Sequence, residues 1–457
     1  MVERREFLRG FAGAIAIGAG TTLTATRARG RQQGRGVTWG TYGGDRTNTS
    51  SKTDLPLSSE TPQQLANWNT ASGNDVLDPD SIVVGDKHVY GVSDQLYALD
   101  KQTGEEVWRF DTGGRTKSTP AIADGTIYVP VPANSNVFAV DTETGQRQWN
   151  RVVDGLAGET SVTVTDGTVI LLGQTTYGCY PCRQKATVVA LDAKDGELEW
   201  HTTVNDMDHD IPQRAPAVAN GKIYITVRSG GLYAFDAESG EKTWLLRIGG
   251  ETFTPPIIAD ETIFVTSGPR IHAVDLETYE EQWRFKTAGR IATPPAVADE
   301  SVYVASGDGN LYALDLTTGQ RDWNVPVTTN QYGLQFQKPC VAGDTVLVGN
   351  RKIRAFDTAD GTELWASNAQ VDESSLRLSR FVPGENRIYW SNGILTTEPP
   401  TPTPTRTPIP TTAAEPADTT GSEPTSSSSA PGFGATVGAV SVGAVAGYLA
   451  RREQRSE

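Results

Sequence analysis

One pattern recurs seven times along this 457-residue chain: Ala-x-Asp-x-x-Thr-Gly-x-x-x-Trp, in which Ser or Asp replaces the Thr and Tyr once replaces the Gly. Successive copies are 39 to 51 residues apart. A repeat of this length is a supersecondary unit that cannot bury its apolar faces alone, so neighbouring copies must stack. The tryptophans that end the copies are Trp108, Trp149, Trp200, Trp244, Trp283, Trp323 and Trp365.

The residues around the second copy predict four antiparallel strands, A to D. Pro120 to Ala123 and Thr126 to Val131 are apolar runs separated by Asp-Gly, a strong hairpin signal. Strand C is predicted from Val137 to Asp141 and strand D from Gln146 to Val152. A four-stranded unit of about 40 residues repeated around a ring is typical of a β-propeller.

An eighth unit is divided between the two ends of the repeat region. Trp68 lies 40 residues before Trp108 but has no A to C strands before it. Near the other end, 378–382, 387–390 and 394–397 have the patterns of strands A, B and C without a D. We therefore predict an all-β fold, an eight-bladed β-propeller of four-stranded antiparallel blades, closed by pairing of N- and C-terminal strands.

The repeated tryptophan is predicted to lie flat between blades, where the repeat alanine leaves it room. Burial of an indole contributes roughly 2–4 kcal/mol in area terms. We expect Trp68 to dock in the same way, which makes eight docking tryptophans. The Thr-Gly pair forms the C–D turn, and the Asp is expected to cap that turn.

The repeat resembles the tryptophan-docking motif of the PQQ-like, quinoprotein-type propellers, from about Trp68 to Thr397. Enzymes of that family bind PQQ and calcium in the propeller funnel and often contain a disulfide between adjacent cysteines. This chain has no adjacent cysteine pair and short loops between most blades. The resemblance leaves two hypotheses: a non-catalytic binding or assembly scaffold that requires no cofactor, or a PQQ-dependent alcohol or sugar dehydrogenase. No catalytic or metal-binding residue is assigned.

Both ends have the patterns of sorting signals. Arg4 and Arg5, followed by Phe-Leu and a weakly apolar run, resemble a twin-arginine export signal. The Pro-Gly-Phe-Gly at 431–434, an apolar stretch and two arginines resemble the PGF-CTERM sorting signal of archaeal surface proteins. In that family the C-terminal helix is removed and replaced by a lipid anchor.

The predicted organisation is a signal segment at 1–30, a lead-in at 31–62, the propeller at 63–397, a Thr/Pro/Ser-rich stalk at 398–430 and the sorting or transmembrane segment at 431–457. We expect an exported protein on the outer face of the cytoplasmic membrane or at the cell surface. Its expected partners are cell-envelope proteins or surface polymers, and the membrane through the C-terminal anchor.

The formal charge of −15 is typical of a halophile's protein and makes nucleic acid an unfavourable partner. Against this background, basic residues fall in loops that a propeller places on one rim. They form a candidate anion-binding rim, and the alternative is that they pair with acids such as Glu251 or Asp308. The D–A loop residues are Arg115, Lys117, Arg214, Arg290 and Lys338, and the B–C loop residues are Arg228, Arg270, Arg351 and Lys352.

An insertion in the third repeat contains Cys179 and Cys182. In an exported protein this spacing favours a disulfide that braces the loop. A redox pair is less favoured because the βαβ context is absent. A Cys/His metal site with the His- and Asp-rich loop at 201–210 is the third alternative.

Overall fold

The computed structural model describes residues 81–156, 160–177, 183–204, 215–327, 336–350, 352–367, 381–390 and 393–396, with 45, 51–52, 55, 57, 60–66 and 68 before them. The signal segment, the stalk and the C-terminal segment lie outside these residues. Among the described residues, no helix combines the length and the apolar character needed to cross a membrane.

Eight antiparallel sheets form the body, each with strands in the order A-B-C-D. We number them blades 1 to 8 in chain order of their A strands. The A strands are Ser81–Val84, Ala121–Ala123, Thr163–Thr165, Ala217–Ala219, Ile257–Ala259, Ala296–Ala298, Cys340–Ala342 and Phe381–Gly384. The B strands are His88–Val92, Thr126–Val131, Thr168–Tyr177, Lys222–Val227, Thr262–Ser267, Ser301–Ala305, Thr345–Asn350 and Arg387–Trp390.

The outer half of each blade is formed by strands C and D. The C strands are Gln95–Asp100, Asn136–Asp141, Arg183–Asp192, Gly231–Asp236, Arg270–Asp275, Asn310–Asp315, Lys352–Asp357 and Gly393–Thr396. The D strands are Glu106–Asp111, Arg147–Val152, Leu198–Thr203, Lys242–Arg247, Glu281–Lys286, Arg321–Pro326, Glu363–Ala366 and, for blade 8, Gln63–Ala66. Two short elements are a 3-10 helix, Pro132–Asn134, and a strand, Ser51–Lys52.

The ring closes as the sequence predicts. Gln63–Ala66 pairs antiparallel with Gly393–Thr396, so blade 8 contains strands from both ends of the repeat region. Its strand A lies beside the A strands of blades 7 and 1. The predicted all-β, eight-bladed architecture is therefore confirmed, and the A strands lie innermost in the ring.

The core lies between blades. Strands B and C are buried along most of their length, whereas strand D of blade 1 alternates between half-buried and exposed residues. Seven clusters of buried apolar side chains occur among the described residues, and each joins two or three neighbouring blades. Because each sheet is stabilised mainly by its neighbours, loss of one blade exposes the faces of two others.

The repeat tryptophans link each blade to the next. In five of them the indole Nε1 donates a hydrogen bond to a carbonyl in the C–D turn of the following blade. The pairs are Trp108 to Thr142, Trp149 to Ala193, Trp200 to Ala237, Trp283 to Leu316, and Trp323 to Thr358, at 3.0–3.2 Å. The tryptophan of one repeat thus recognises the turn of the next.

The glycine of the C–D turn provides the surface on which the preceding indole rests. Gly319 has φ +67°, and a Cβ added there would lie 2.4 Å from the ring of Trp283. Steric room is therefore a second reason for glycine, beyond the positive φ that the sequence predicts. Gly145, Gly196, Gly240 and Gly361 meet the preceding tryptophan in the same way.

We expect Gly319→Ala to destabilise the protein more than Gly221→Ala. Both glycines have φ +67°, but a Cβ at Gly221 meets nothing within 4 Å. Both substitutions therefore incur the left-handed penalty of about 1–2 kcal/mol, and only Gly319→Ala adds an overpacking cost of roughly 1–3 kcal/mol. Urea unfolding of the two variants measures the difference, and equal losses would contradict the docking argument.

Blade 5 has Tyr279 where the other repeats have glycine, and it keeps φ +61°. The indole of Trp244 stacks on the Tyr279 ring, with centroids 4.1 Å apart and planes 19° from parallel. The Lys222 ammonium donates to the Tyr279 hydroxyl at 2.6 Å. Stacking thus replaces the indole–glycine contact at this interface.

Trp68 does not occupy the docking position that the sequence predicts for it. In blade 1, Trp108 lies opposite Ala98, directly after the irregularity in the C–D pairing. In blade 8 the corresponding residue is Ala66, which lies opposite Ile394. Trp68 follows two residues later, is 1% exposed, and donates from Nε1 to the Trp390 carbonyl of its own blade at 2.7 Å. The missing repeat motif in blade 8 explains this altered register.

The repeat aspartates cap the C–D turns, as the sequence predicts. Asp141 Oδ1 accepts the amides of Glu143 and Thr144 at 3.1 and 2.8 Å, and the Thr144 hydroxyl at 2.8 Å. The Thr144 bonds lower the pKa of Asp141, because they stabilise its ionised form. The aspartates therefore have a structural role in the turns.

Candidate functional site

Two sets of loops meet at one rim of the propeller. Backbone amides of the D–A loops and carbonyls of the B–C loops join directly, for example Thr116 to Ser93 at 2.7 Å and Thr252 to Arg228 at 3.1 Å. In the next loop, the Gly307 amide donates to the Arg290 carbonyl at 2.8 Å. The rim is therefore a hydrogen-bonded surface on which side chains of adjacent blades are held close together.

Four residues of this rim form a compact group, which we call the rim cluster: Arg228, Glu251, Phe253 and Arg290. The Arg290 guanidinium carbon lies 3.5 Å from the centroid of the Phe253 ring, and that of Arg228 lies 5.2 Å away. Glu251 accepts from both, at 3.5 Å to Arg228 Nε and 3.6 Å to an Arg290 terminal nitrogen. Two guanidinium groups thus share one aromatic ring and one carboxylate.

The rim cluster is exposed and carries one net positive charge. The side chains of Arg228, Arg290 and Glu251 are 49%, 48% and 60% exposed. At this exposure each ion pair contributes at most about 1 kcal/mol to stability. The cation–π contacts orient the guanidinium groups and leave their N–H donors near the surface. The cluster is therefore suited to binding an anionic or aromatic group.

Asp308, the other acid considered as an arginine partner, holds its own loop. Its Oδ2 accepts from the Tyr312 hydroxyl at 2.7 Å and the Ala288 amide at 3.0 Å, and its Oδ1 accepts from the Asn310 amide at 3.0 Å. Although burial opposes the effect, these bonds lower the pKa of Asp308. Burial and Asp308 together raise the pKa of Tyr312 to about 12.

The other basic residues predicted for the rim are dispersed. Arg115 is exposed and Lys117 is half-buried, and both lie in the loop between blades 1 and 2. Arg290 lies between blades 5 and 6, four interfaces away and so on the opposite side of an eight-membered ring. Lys338 is half-buried before blade 7. Arg214 and Arg351 lie outside the described residues.

The loop with Cys179 and Cys182 lies outside the described residues, as do Asp206, Asp208, His209 and Asp210. Within the part of the chain that the structure describes, no group of three His, Cys, Asp or Glu is placed to hold a metal ion. These residues therefore offer no calcium site to which a quinoprotein role can be assigned. Cys340 is free and buried, and burial raises the pKa of its thiol.

Blade 5 contains a chain of polar contacts that the sequence did not indicate. The Ser267 hydroxyl lies 3.0 Å from His272 Nε2, and His272 Nδ1 lies 3.3 Å from a Glu281 carboxylate oxygen. The three residues belong to strands B, C and D, and only the pairing of these strands brings them together. Ser267 and His272 are each 3% exposed, so we interpret the chain as structural.

The stability of blade 5 should depend on pH through His272. Burial lowers the pKa of His272, and the contact with Glu281 partly opposes this effect. The unfolded chain, with a histidine pKa of about 6.5, then binds more protons between that value and the lowered one. The free energy of unfolding should therefore decrease as the pH falls below about 6.5.

His272→Gln should reduce this pH dependence, and the effect can be measured by urea unfolding between pH 7.5 and 5. His201→Gln, at an exposed histidine on strand D of blade 3, is the control and should leave the dependence unchanged. Identical pH profiles for His272→Gln and the unaltered chain would show that His272 titrates alike in both states.

Comparison with known proteins supports the fold and the C-terminal signal. The family model described as outer membrane protein assembly factor BamB matches residues 52–283 and 255–389. The PGF-CTERM motif matches residues 430–453. The crystal structure of BamB from Moraxella catarrhalis has a TM-score of 0.58 at 16% identity and covers 73% of this chain and 98% of that chain, a likeness that shows the fold alone.

Similar sequences include enzymes and non-enzymes. BamB of Yersinia pestis is 27% identical over 219 residues, which are 44% of this chain and 49% of that protein. The quinohemoprotein alcohol dehydrogenase of Comamonas testosteroni is 32% identical over 171 residues, which are 34% of this chain and 23% of that protein. The chain thus spans half or less of the length of these relatives. Since the family model covers most of the propeller, the chain belongs to the family described as outer membrane protein assembly factor BamB.

Proposed function

We propose that this chain is an exported, membrane-anchored propeller that acts as a non-catalytic binding or assembly scaffold at the cell surface. The rim cluster is the observation that carries the proposal. It places two half-exposed guanidinium groups and an aromatic ring on the rim where the loops of blades 4, 5 and 6 meet. Its partner is an anionic cell-envelope protein or surface polymer.

The chemistry of the rim cluster is that of an interface anchor. Arginine and aromatic residues dominate the binding energy of protein interfaces. Here Phe253 and Glu251 hold both guanidinium groups before any partner arrives, so less conformational entropy is lost on binding. On a chain with a net charge of −15, a local positive site also selects where an anionic partner makes contact.

The proposed location rests on the two termini. The PGF-CTERM motif indicates a surface-anchored exported protein. The paired arginines at 4 and 5 and the apolar run after them support export of the folded propeller by the twin-arginine route. Anchoring at the C-terminal end leaves the propeller on the outer face of the membrane, and an acidic surface suits the high salt of a halophile's surroundings.

The enzymatic alternative is a PQQ-dependent dehydrogenase. Likeness to quinohemoprotein alcohol dehydrogenases favours it, but the described residues supply no metal-binding group of three. The discriminating assay adds PQQ and calcium to the full chain and follows dye reduction with alcohols and sugars. We expect no turnover. Quinone-dependent turnover would replace the scaffold proposal with the enzymatic one.

The scaffold proposal is tested by capture from a membrane fraction with the immobilised propeller. Arg228→Ala with Arg290→Ala should reduce capture of any specific partner by about ten-fold or more, the range of an interface hot spot. The matched control is Arg147→Ala with Lys194→Ala, an equal change of charge at exposed residues of the opposite rim. Equal loss in both variants would mean that total charge, rather than the rim cluster, determines binding.

A further inference from the structure

Blade 7 has a fifth strand that no other described blade has. Ser51–Lys52 pairs in parallel with strand A, Ser51 opposite Val341 and Lys52 opposite Ala342. Strand A is the innermost strand of its blade, and Ser51–Lys52 also lies beside strand A of blade 6. The added strand therefore lies on the channel side of the ring.

The chain is held on both sides of a passage through the channel. Each A strand runs from the rim of the D–A loops toward the opposite rim, and Ser51–Lys52 runs in the same direction because the pairing is parallel. Further along, Leu57 packs against the cluster of blades 7, 8 and 1, and Gln63–Ala66 begins strand D of blade 8. The lead-in thus descends beside blade 7 before it completes the ring.

This pairing shows what the inner edge of blade 7 can bind. An unpaired sheet edge presents backbone N–H and C=O groups that pair with any extended segment of suitable length. We propose that the channel-side edge of blade 7 is a binding site for an extended peptide strand, and that Ser51–Lys52 is its resident occupant. The lead-in therefore closes this part of the channel, and a partner strand enters by displacing it.

The physical argument for displacement is the small size of the contact. Only two residues pair on each strand, whereas strand D of blade 8 secures the same segment independently. The tethered occupant competes through its effective concentration, in the millimolar range for short linkers. A free peptide is therefore expected to bind measurably once the occupant is weakened.

A disulfide lock tests the occupancy in the full chain. Neighbouring strands lie about 4.8 Å apart, within the Cα separation of disulfides. In a chain with Cys179→Ser, Cys182→Ser and Cys340→Ala, the pair Ser51→Cys with Val341→Cys should cross-link under oxidation. The control pair, Ser51→Cys with Ile258→Cys in strand A of blade 5, should not. Failure of the first pair to cross-link, or equal cross-linking of both, would overturn the proposal.

Peptide binding tests the site itself. The probe is a fluorescein-labelled peptide of residues 46–60, and its binding is followed by anisotropy. Binding to the chain with Ser51→Pro and Lys52→Pro, which cannot donate backbone hydrogen bonds at these residues, should be at least about ten-fold tighter than to the locked chain. Reduction of the lock should restore weak binding. Equal binding to locked and reduced chains, or none to the proline variant, would refute a peptide site at this edge.

Discussion

A chain that stops at residue 380 will fail to form a stable propeller, whereas a chain that stops at Thr401 will unfold like the full-length protein. The first truncation removes strands A, B and C of blade 8. It thereby exposes the facing sides of blades 7 and 1 and leaves strand D without a sheet. The second removes only residues that follow the propeller.

The magnitude follows from the apolar side chains that are lost. Seven residues of these strands are 8% exposed or less: Phe381, Val382, Ile388, Tyr389, Trp390, Ile394 and Leu395. Burial of such side chains contributes roughly 1.5–3 kcal/mol each, so the sum exceeds about 10 kcal/mol. That is comparable with the whole free energy of unfolding of a typical protein, about 5–15 kcal/mol.

Circular dichroism during heating and proteolysis at room temperature measure the outcome. We expect the chain that ends at 380 to be digested rapidly and to show no cooperative transition. A cooperative transition at the temperature of the longer chain would mean that seven blades form a stable ring without the eighth.

The second large effect is expected from Trp283→Ala. Trp283 is 9% exposed, lies between blades 5 and 6, and donates to the Leu316 carbonyl at 3.0 Å. Removal of the indole leaves a cavity against Gly319, at a cost of about 3–5 kcal/mol. Trp283→Phe retains an aromatic ring but loses the hydrogen bond, so its cost should be smaller, about 1–2 kcal/mol.

Urea unfolding of both variants measures these costs, with Val152→Ala as the control. Val152 is 61% exposed on strand D of blade 2 and should change stability by less than about 0.5 kcal/mol. If Trp283→Ala were as mild as Val152→Ala, the indole would not connect the two blades energetically.

The candidate site was harder to predict than the fold. The sequence placed Arg228 and Arg290 on one rim and named Glu251 as an alternative partner. It did not reveal that Glu251 accepts from both arginines or that Phe253 lies between them. These contacts join loops of three blades, so they depend on how the blades are rotated against each other. The order of blades in the ring was the signal that could have brought these loops together.

The amino-acid pattern alone determined the number of blades, the order of their strands and the closure by both ends, because strand periodicity and turn residues act over short distances and recur at a regular spacing. Only the tertiary structure decided which turn each indole contacts, that Ala66 rather than Trp68 takes the docking position in blade 8, and that Ser51–Lys52 lies along the channel. These outcomes depend on contacts between segments as much as 322 residues apart. Such contacts exist only once the ring has closed, since closure brings their surfaces together.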